Sequence, residues 1–486
     1  MKKVCDKNMS FEECELAVLR AAVDKAVERD KENVNTPEIK EMIRIVEKFI
    51  KDTGCICYGG TAINNILPKK DQFYNYEEEI PDYDFFSPTP IEHAKQLVDI
   101  YLAAGYVEVE AKSGVHYGTY KVYVNFIPMA DITLLEKSLF NVLKENCIKK
   151  LGINYCPPNY LRMSMYLELS RPKGDVSRWE KVLKRLTLLN KYFPIKDDTC
   201  NYENFQRKYE GDNEDIDTIN EIIRTSSIDT ESIFFGGYAN FLYSKYMPYN
   251  IRKKFTKDPD FDILSEEPEM LAELIKEGLQ DNDFKKVTVV KHKGLQDILS
   301  DHYEIKIGLD SVCYIYSPAG CHSYNKITIN GDTIRVASID TMLSFYLAFM
   351  FINRDYYDPK RILCMSKFLF DVQQQNRLKQ KGLLKRFSID CYGKQHSLGD
   401  IRETKAQKFK ELKKSSPEYE AWFLKYRPGD KLKEKKNSDT TEESTDNKTN
   451  NSNEKKIVKK KTQKRKSVKK KTKGKKTRKT IFSLYQ

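Results

Sequence analysis

Nothing in the spacing of this sequence pairs its cysteines. The eleven (Cys5, Cys14, Cys55, Cys57, Cys147, Cys156, Cys200, Cys313, Cys321, Cys364 and Cys391) are odd in number and scattered, without a C-x-x-C pair. That pattern argues against a disulfide framework or a zinc site and predicts free thiols in a reducing compartment. Long apolar runs are also missing. The longest, Phe345 to Ile352, is too short to cross a bilayer, and the opening MKKVCDKNMSFEECEL has acids where a signal peptide needs apolar residues. A soluble, intracellular protein without a membrane partner is expected.

The body of the chain also lacks a charge excess. Net charge is +13, but Lys455 to Lys479 holds 16 of the 84 basic residues and no acid, so the rest carries 68 bases against 71 acids. From about Asp430 aromatics disappear until Phe482, and such a segment cannot bury enough apolar surface to offset its ordering entropy. The expectation is a disordered basic tail over 431–486, serving as a solvated tail or as a non-specific clamp on RNA phosphates.

At 486 residues, 40% of them hydrophobic, the chain is long enough for two to four domains. A weak internal repeat organises it. The first copy reads CICYGGTAINNILPKK, PDYDFFS, VYVNFIPMAD; the second reads SIFFGGYANFLYSKYMP, PDFDILS, VCYIYSPAGC. The first glycine precedes the first carboxylate by 23 residues in one copy (Gly59 to Asp82) and 24 in the other (Gly236 to Asp260). The fold class is therefore read as α+β: two related units with mixed sheets and a helical segment between them. The expected division is an N-terminal helical region (1–50), a first unit (51–140), a helical middle (141–225), a second, degenerate unit (226–375) and a C-terminal helical region (376–430). In the middle region Tyr160 to Phe193 looks helical, with capping-box spacing at Ser177 and Glu180. Val176, Trp179, Val182, Leu183, Leu186 and Leu189 form an apolar face there, and Arg178, Lys181, Lys184 and Arg185 a basic one.

The chemistry is concentrated in the first copy. Cys55 to Tyr58 reads as a short strand ending at Gly59 and Gly60, and TAINNIL opens a helix. A glycine pair there lets the backbone approach a phosphate, whose charge the helix N-terminus favours, with Thr61 adding a hydroxyl. In Ile80-Pro81-Asp82-Tyr83-Asp84-Phe85-Phe86 the two acids project from one face of a strand. Adjacent carboxylates repel unless a cation lies between them, which makes them candidate Mg²⁺ or Mn²⁺ ligands. D-x-D is common: Asp215/Asp217 and Asp281/Asp283 repeat it, but they lack apolar flanks and read as loops. A third acid separates the cases. The strand run TYKVYVNFIP leads into Met129-Ala130-Asp131, and if that strand lies beside the one bearing Asp82 and Asp84, three carboxylates converge. Such a trio can hold two cations for in-line displacement at an α-phosphate, leaving the six histidines no catalytic task.

The order Gly-Gly, D-x-D, then a single Asp on a neighbouring strand resembles the DNA polymerase beta-like nucleotidyltransferase superfamily. More narrowly, CYGGTAINN, PDYDFFS, FIPMADIT and MYLELSRPKGDVSRWEKVLKRL resemble the poly(A) polymerase catalytic subunit of poxviruses and mimivirus-like giant viruses, from about Lys51 to Cys364. The resemblance implies a template-independent polynucleotide adenylyltransferase that adds AMP from ATP to RNA 3′ ends in mRNA polyadenylation, releasing pyrophosphate, with two Mg²⁺ (or Mn²⁺) ions. It implies Asp82, Asp84 and Asp131 as metal ligands, Gly59, Gly60 and Thr61 at the triphosphate, and Arg178 and Lys181 at nucleotide or RNA phosphates. It also implies a homodimer or a processivity partner, and a cytoplasmic site in the viral factory with packaging in the virion. Two departures stand out: Thr61 replaces a usual serine, and the gap from Gly60 to Asp82 is long, which leaves the geometry of the phosphate cradle open. Aligning Pro128 with Pro318 sets Asp131 against Cys321, so the second copy keeps Asp260 and Asp262 without a third acid. Rival readings are a CCA-adding enzyme or oligoadenylate synthetase on the same chemistry, and a non-catalytic RNA-binding protein on the same fold.

Overall fold

Two eight-stranded mixed sheets with the same internal order form the frame of this computed structural model. It describes residues 4–430, apart from residues 6–8, 35, 77, 197–199, 201, 203, 204, 206–208, 210, 212, 256–259, 296 and 297. The tail expected over 431–486 lies outside the described residues.

The first unit runs α1 (Phe11–Val34), α2 (Pro37–Thr53), β1 (Ile56–Cys57), α3 (Gly59–Ile66), β2 (Tyr83–Ser87), α4 (Pro90–Ala103), β3 (Val109–Ser113) and β4 (Thr119–Val124). It continues with β5 (Ile127–Leu134), α5 (Lys137–Glu145), β6 (Ile148–Lys150), β7 (Ile153–Tyr155), α6 (Pro158–Leu169) and α7 (Trp179–Tyr192). The second runs α8 (Asn213–Asp229), β8 (Ile233–Phe235), α9 (Gly236–Ser244), α10 (Tyr249–Arg252), β9 (Phe261–Leu264), α11 (Pro268–Asp281), β10 (Val287–His292), β11 (His302–Ile307) and β12 (Asp310–Tyr316). It ends with β13 (His322–Ile329), β14 (Asp332–Ala337), α12 (Ile339–Phe349) and α13 (Pro359–Gln375), followed by β15 (Cys391–Tyr392), α14 (Leu398–Glu411), α15 (Pro417–Phe423) and β16 (Lys425–Tyr426).

The strand order β3-β4-β5-β2-β1-β7-β6 of one sheet is repeated as β10-β11-β12-β9-β8-β14-β13 in the other, with the same parallel and antiparallel senses. β16 extends the first sheet beyond β3, and β15 the second beyond β13. Local signals explain the frame. Thr36 caps α2 by accepting from the Ile39 amide, Pro37 fits its first turn, and Gly54 ends it in the left-handed region at φ 65°. Alternating burial along β4 places Tyr120, Val122 and Val124 in the core. Equivalent helices meet between the units: α6 packs on α12, with Tyr160 edge-on to Phe351 at 5.4 Å. The whole of α12 is buried, as its apolar sequence predicts. Among the described residues no helix is long and apolar enough to cross a membrane.

Several local expectations are corrected. The run from Thr119 to Asp131 is two strands, because Asn125 (φ 48°) and Phe126 (φ 67°) take the pair of positive φ values that reverses a tight hairpin. Ser177 does not cap with Glu180; it lies in a 3₁₀ turn and donates to Asp175, while Val176 is half exposed. Asp215 and Asp217 lie in α8, and Asp281 ends α11. Six of the eleven cysteines are paired, as Cys5–Cys14, Cys200–Cys364 and Cys321–Cys391. The last two join positions 164 and 70 residues apart, a proximity that tertiary packing creates and spacing along the chain conceals.

One ion pair ties α12 to the chain beyond α13. Arg386 grips Asp340 bidentately, at 3.1 and 2.8 Å, and Asp340 is only 1% exposed. Asp340→Ala should strand the guanidinium and destabilise the fold by about 3 kcal/mol, read as a lower urea midpoint at unchanged slope.

Candidate active site

The geometry of the first unit's candidate site begins at a backbone turn. β1 ends at Tyr58, extended at φ −131° and ψ −170°, and Gly59 then adopts φ +71° to open α3. The Tyr58 amide donates to the Asp84 carbonyl at 2.9 Å, so the turn lies directly against β2. A Cβ on Gly59 would stand 2.7 Å from Asp84 Oδ2; glycine is needed for both space and φ. Thr61 is buried and donates its hydroxyl proton to the Asp82 carbonyl at 2.6 Å. That bond fixes the acid's backbone instead of leaving a free donor for a phosphate, as the sequence had suggested.

Asp131 is where the carboxylate trio requires it. Parallel pairing of β2 with β5 sets Asp84 opposite Asp131, so both side chains leave the same face of the sheet, and Asp82 stands just before β2 on that side. Burial, reinforced by Asp82 and Asp131, lifts the Asp84 carboxyl to about 7; burial and Asp131 raise Asp82 as well. Antiparallel pairing of β4 with β5 puts Lys121 opposite Asp131 on the other side, and its ammonium bonds that carboxylate. Asp131 is turned to Lys121, and among the described residues no group of three or more His, Cys, Asp or Glu side chains is placed to hold a metal ion. The donors nevertheless suit a hard divalent cation: carboxylates only, on one face, destabilised by their own repulsion, with an ammonium already drawn to one of them.

Asp82 and Asp84 open into a cleft of about 350 Å³, whose lining does not include Asp131 or Lys121. Gly59, Gly60, Asp82 and Asp84 form one side, and Arg178, Lys181 and Arg185 of the turn and helix at α7 form the other. Its apolar end consists of Ile63, Phe86, Tyr160, Leu161, Met165 and Val182. The basic face read from sequence divides here: Lys184 points elsewhere, paired with Glu180 at 2.6 Å. Arg178 meets Glu168 at 3.2 Å, whereas Arg185, read from the sequence only as one member of that basic face, reaches the glycine turn. A larger groove of about 780 Å³ runs between α7 and α13, but Lys367 and Arg386 are already paired there with Asp371 and Asp340. It presents no carboxylate pair.

The second unit repeats the turn, with its acids buried. Phe235 and Gly236 copy the torsions of Tyr58 and Gly59, at φ −137° and +67°. Strand register corrects the sequence alignment: the residue opposite Asp262 is Tyr314, not Cys321, and Glu304 on β11 stands opposite Tyr314 where the first unit has Lys121. Asp260 and Asp262 are 7% and 8% exposed and close onto the glycines. By position from the helix N-cap, Tyr346 replaces Met165, and its hydroxyl accepts from Asn240 at 3.0 Å.

Residues 44–175 match the family "Poly(A) polymerase catalytic subunit". That stretch contains the glycine turn and all three acids. Proteins described as candidate poly(A) polymerase catalytic subunits match as well. The one from African swine fever virus (strain Badajoz 1971 Vero-adapted) is 34% identical over 171 residues, covering 34% of this chain and 36% of its own. The one from Acanthamoeba polyphaga mimivirus is 34% identical over 165 residues, covering 33% and 28%. The matches thus span about a third of these relatives' length. The crystal structure of the Megavirus polyadenylate synthase superposes with a TM-score of 0.72 at 21% identity, over 91% of this chain and 92% of that one. The α+β fold with its two units is that of the synthase, and the resemblance read from the sequence stands.

Gly59→Ala would face both the positive φ and the Asp84 carboxylate. It should destabilise the chain by about 1–2 kcal/mol in chemical denaturation, a loss that an exposed glycine without either constraint would not show.

Proposed function

We propose that this chain is a template-independent poly(A) polymerase that adds AMP from ATP to RNA 3′ ends and releases pyrophosphate. The observation that supports this most is the register of Asp84 opposite Asp131 beside the Gly59–Gly60 turn. A nucleotidyl transfer centre needs acids for cations and a close backbone approach for phosphates in one place, and here both lie in a cleft with a basic wall. The family match covers the same residues.

In this reading Asp82, Asp84 and Asp131 hold two divalent ions, Mg²⁺ or Mn²⁺. Bound there, the ions would lower the pKa of the RNA 3′ hydroxyl and neutralise charge on the leaving pyrophosphate. The protein's own work is positioning. The amides that open α3 face the triphosphate, Gly59 and Gly60 let it approach the backbone, and Thr61 keeps Asp82 in place. Arg178 and Lys181 contribute positive charge from the opposite wall, and the apolar end with Phe86, Tyr160 and Met165 receives the base. Lys121 holds Asp131 until a divalent ion takes over that carboxylate. The second unit, with Tyr314 in place of the third acid and both of its acids buried, serves packing or RNA guidance. RNA, ATP and a processivity partner or second subunit are the molecules this activity requires.

Primer extension with each of the four ribonucleoside triphosphates tests the assignment. Long ATP-dependent, RNA-dependent tails are expected; a product that stops after a few residues, or one made without RNA, would overturn it. Replacing both Asp82 and Asp84 by Ala should cut incorporation at least about a thousandfold while the melting temperature holds. A second check needs no turnover. Lys121→Ala removes the only ammonium bonded to Asp131 among the described residues, so its melting temperature should fall in chelator. Millimolar Mg²⁺ or Mn²⁺ should then raise it more than in the parent chain, because a ligand bound to the folded state alone stabilises that state.

A further inference from the structure

The long segment between Gly60 and Asp82 folds back as a strap over the glycine turn. Asn64, fully buried in α3, accepts from the Phe73 amide at 2.7 Å and the Tyr74 amide at 2.9 Å. Its amide nitrogen donates to the Tyr76 hydroxyl at 3.2 Å, and that hydroxyl donates to Asn65 at 2.8 Å. Gln72 donates to the Leu67 carbonyl at 3.2 Å. At its start the strap is moored to α7, where Asp71 accepts from the Tyr192 hydroxyl and pairs with Lys191 at 3.4 Å.

All this fixes one guanidinium. Arg185 lies over the Phe73 ring at 4.8 Å from its centroid and donates to the Tyr74 hydroxyl at 2.7 Å. Its two terminal nitrogens stand 3.0 and 3.2 Å from where a Cβ on Gly60 would be, so the charge hangs directly above the turn. Arg178 and Lys184 are each matched by a glutamate, but among the described residues no carboxylate pairs with Arg185. Glu168 in the same cleft feels the charge of Arg185 but forms no ion pair with it. A planar fork, pre-oriented by an aromatic face and one hydroxyl, half-buried and outside any ion pair among the described residues, is suited to grip phosphate oxygens bidentately.

We infer that residues 72–76 are a positioning strap that holds Arg185 above the Gly59–Gly60 turn as the receptor for the polyphosphate of the bound nucleotide. Tyr74 and Asn64 are positioning residues that act through Arg185. The inference rests on the nucleotidyl transfer reading for the identity of its ligand. A purely structural role, with Arg185 merely clamping α7 to α3, would predict changes in stability alone.

The experiment uses the full chain and inorganic tripolyphosphate as the probe, titrated calorimetrically without divalent ions, alongside the KM for ATP on an RNA primer. Arg185→Lys keeps the charge but loses the fork, and should weaken tripolyphosphate binding about tenfold and raise the KM by a similar factor, with kcat changed far less. Tyr74→Phe keeps the ring and removes one hydroxyl; a several-fold effect in the same direction is expected. Lys184→Ala, exposed and paired with Glu180, should match the parent in both assays. Parent-like tripolyphosphate affinity and KM in both Arg185→Lys and Tyr74→Phe would overturn the inference, as would absence of tripolyphosphate binding by the parent. The two readings fail separately. Arg185-dependent tripolyphosphate binding without AMP incorporation would reject the polymerase assignment alone; incorporation with a KM indifferent to Arg185 would reject the strap alone.

Discussion

Holding Asp84 and Asp131 side by side is the constraint around which the first unit is arranged. Two like charges about 5 Å apart repel by about 3 kcal/mol at an effective dielectric near 20, and the parallel pairing of β2 with β5 forces that proximity. The neighbourhood answers with Lys121 on the next strand and with a cleft that keeps Asp82 exposed. Gly59 turns the chain so tightly that backbone and carboxylate almost touch. Carboxylates held this way carry unrelieved repulsion, which any added positive charge would lessen.

The second unit shows the same frame after the constraint has been lifted. Its glycine turn has the same torsions, yet Tyr314 replaces the third acid and Glu304 takes the position of Lys121, so the pattern across three strands changes from acid, acid, base to acid, neutral, acid. Glu304 is then satisfied internally by His292 at 2.8 Å and Tyr314 at 2.9 Å. With no charge cluster to keep accessible, aromatic side chains fill the space. Tyr316 lies 5.3 Å from Phe235, and Phe345 stacks on that ring at 5.2 Å. The two units share one scaffold and differ in what fills the space beside the glycine turn.

The wall opposite the acids depends on how α6 and α7 are anchored. Arg162 is fully buried and donates to Asn190 at 2.7 Å and to Asn159 and the Phe193 carbonyl, binding α6 to the C-terminal end of α7 without a carboxylate partner among the described residues; burial lowers its pKa to about 10. Trp179 adds a bond from its indole to the Glu168 carbonyl at 3.0 Å. These contacts aim one side of α7 into the cleft, and the strap completes the alignment from the other side.

Much of this was legible along the chain. Paired glycines, the D-x-D, the later Asp131 and their repetition at nearly equal spacing define a fold class and a triad, because strand period and turn chemistry are local properties that residue order carries directly. Other features were not legible. Two of the cysteine pairs join distant segments, the partner of Asp262 is set by strand register across a parallel pair instead of by a nearby proline, and Arg185 is set apart from the other bases of its helix by the strap that lies over it. The segment Asn64 to Glu79 read as an irregular gap, since nothing in its composition says that Asn64 will bind its own downstream backbone. By itself the sequence determined which charges the protein possesses and on which elements they ride; only the tertiary structure decided which of them meet, because pairing across strands and packing between helices depend on contacts that residue order does not encode locally.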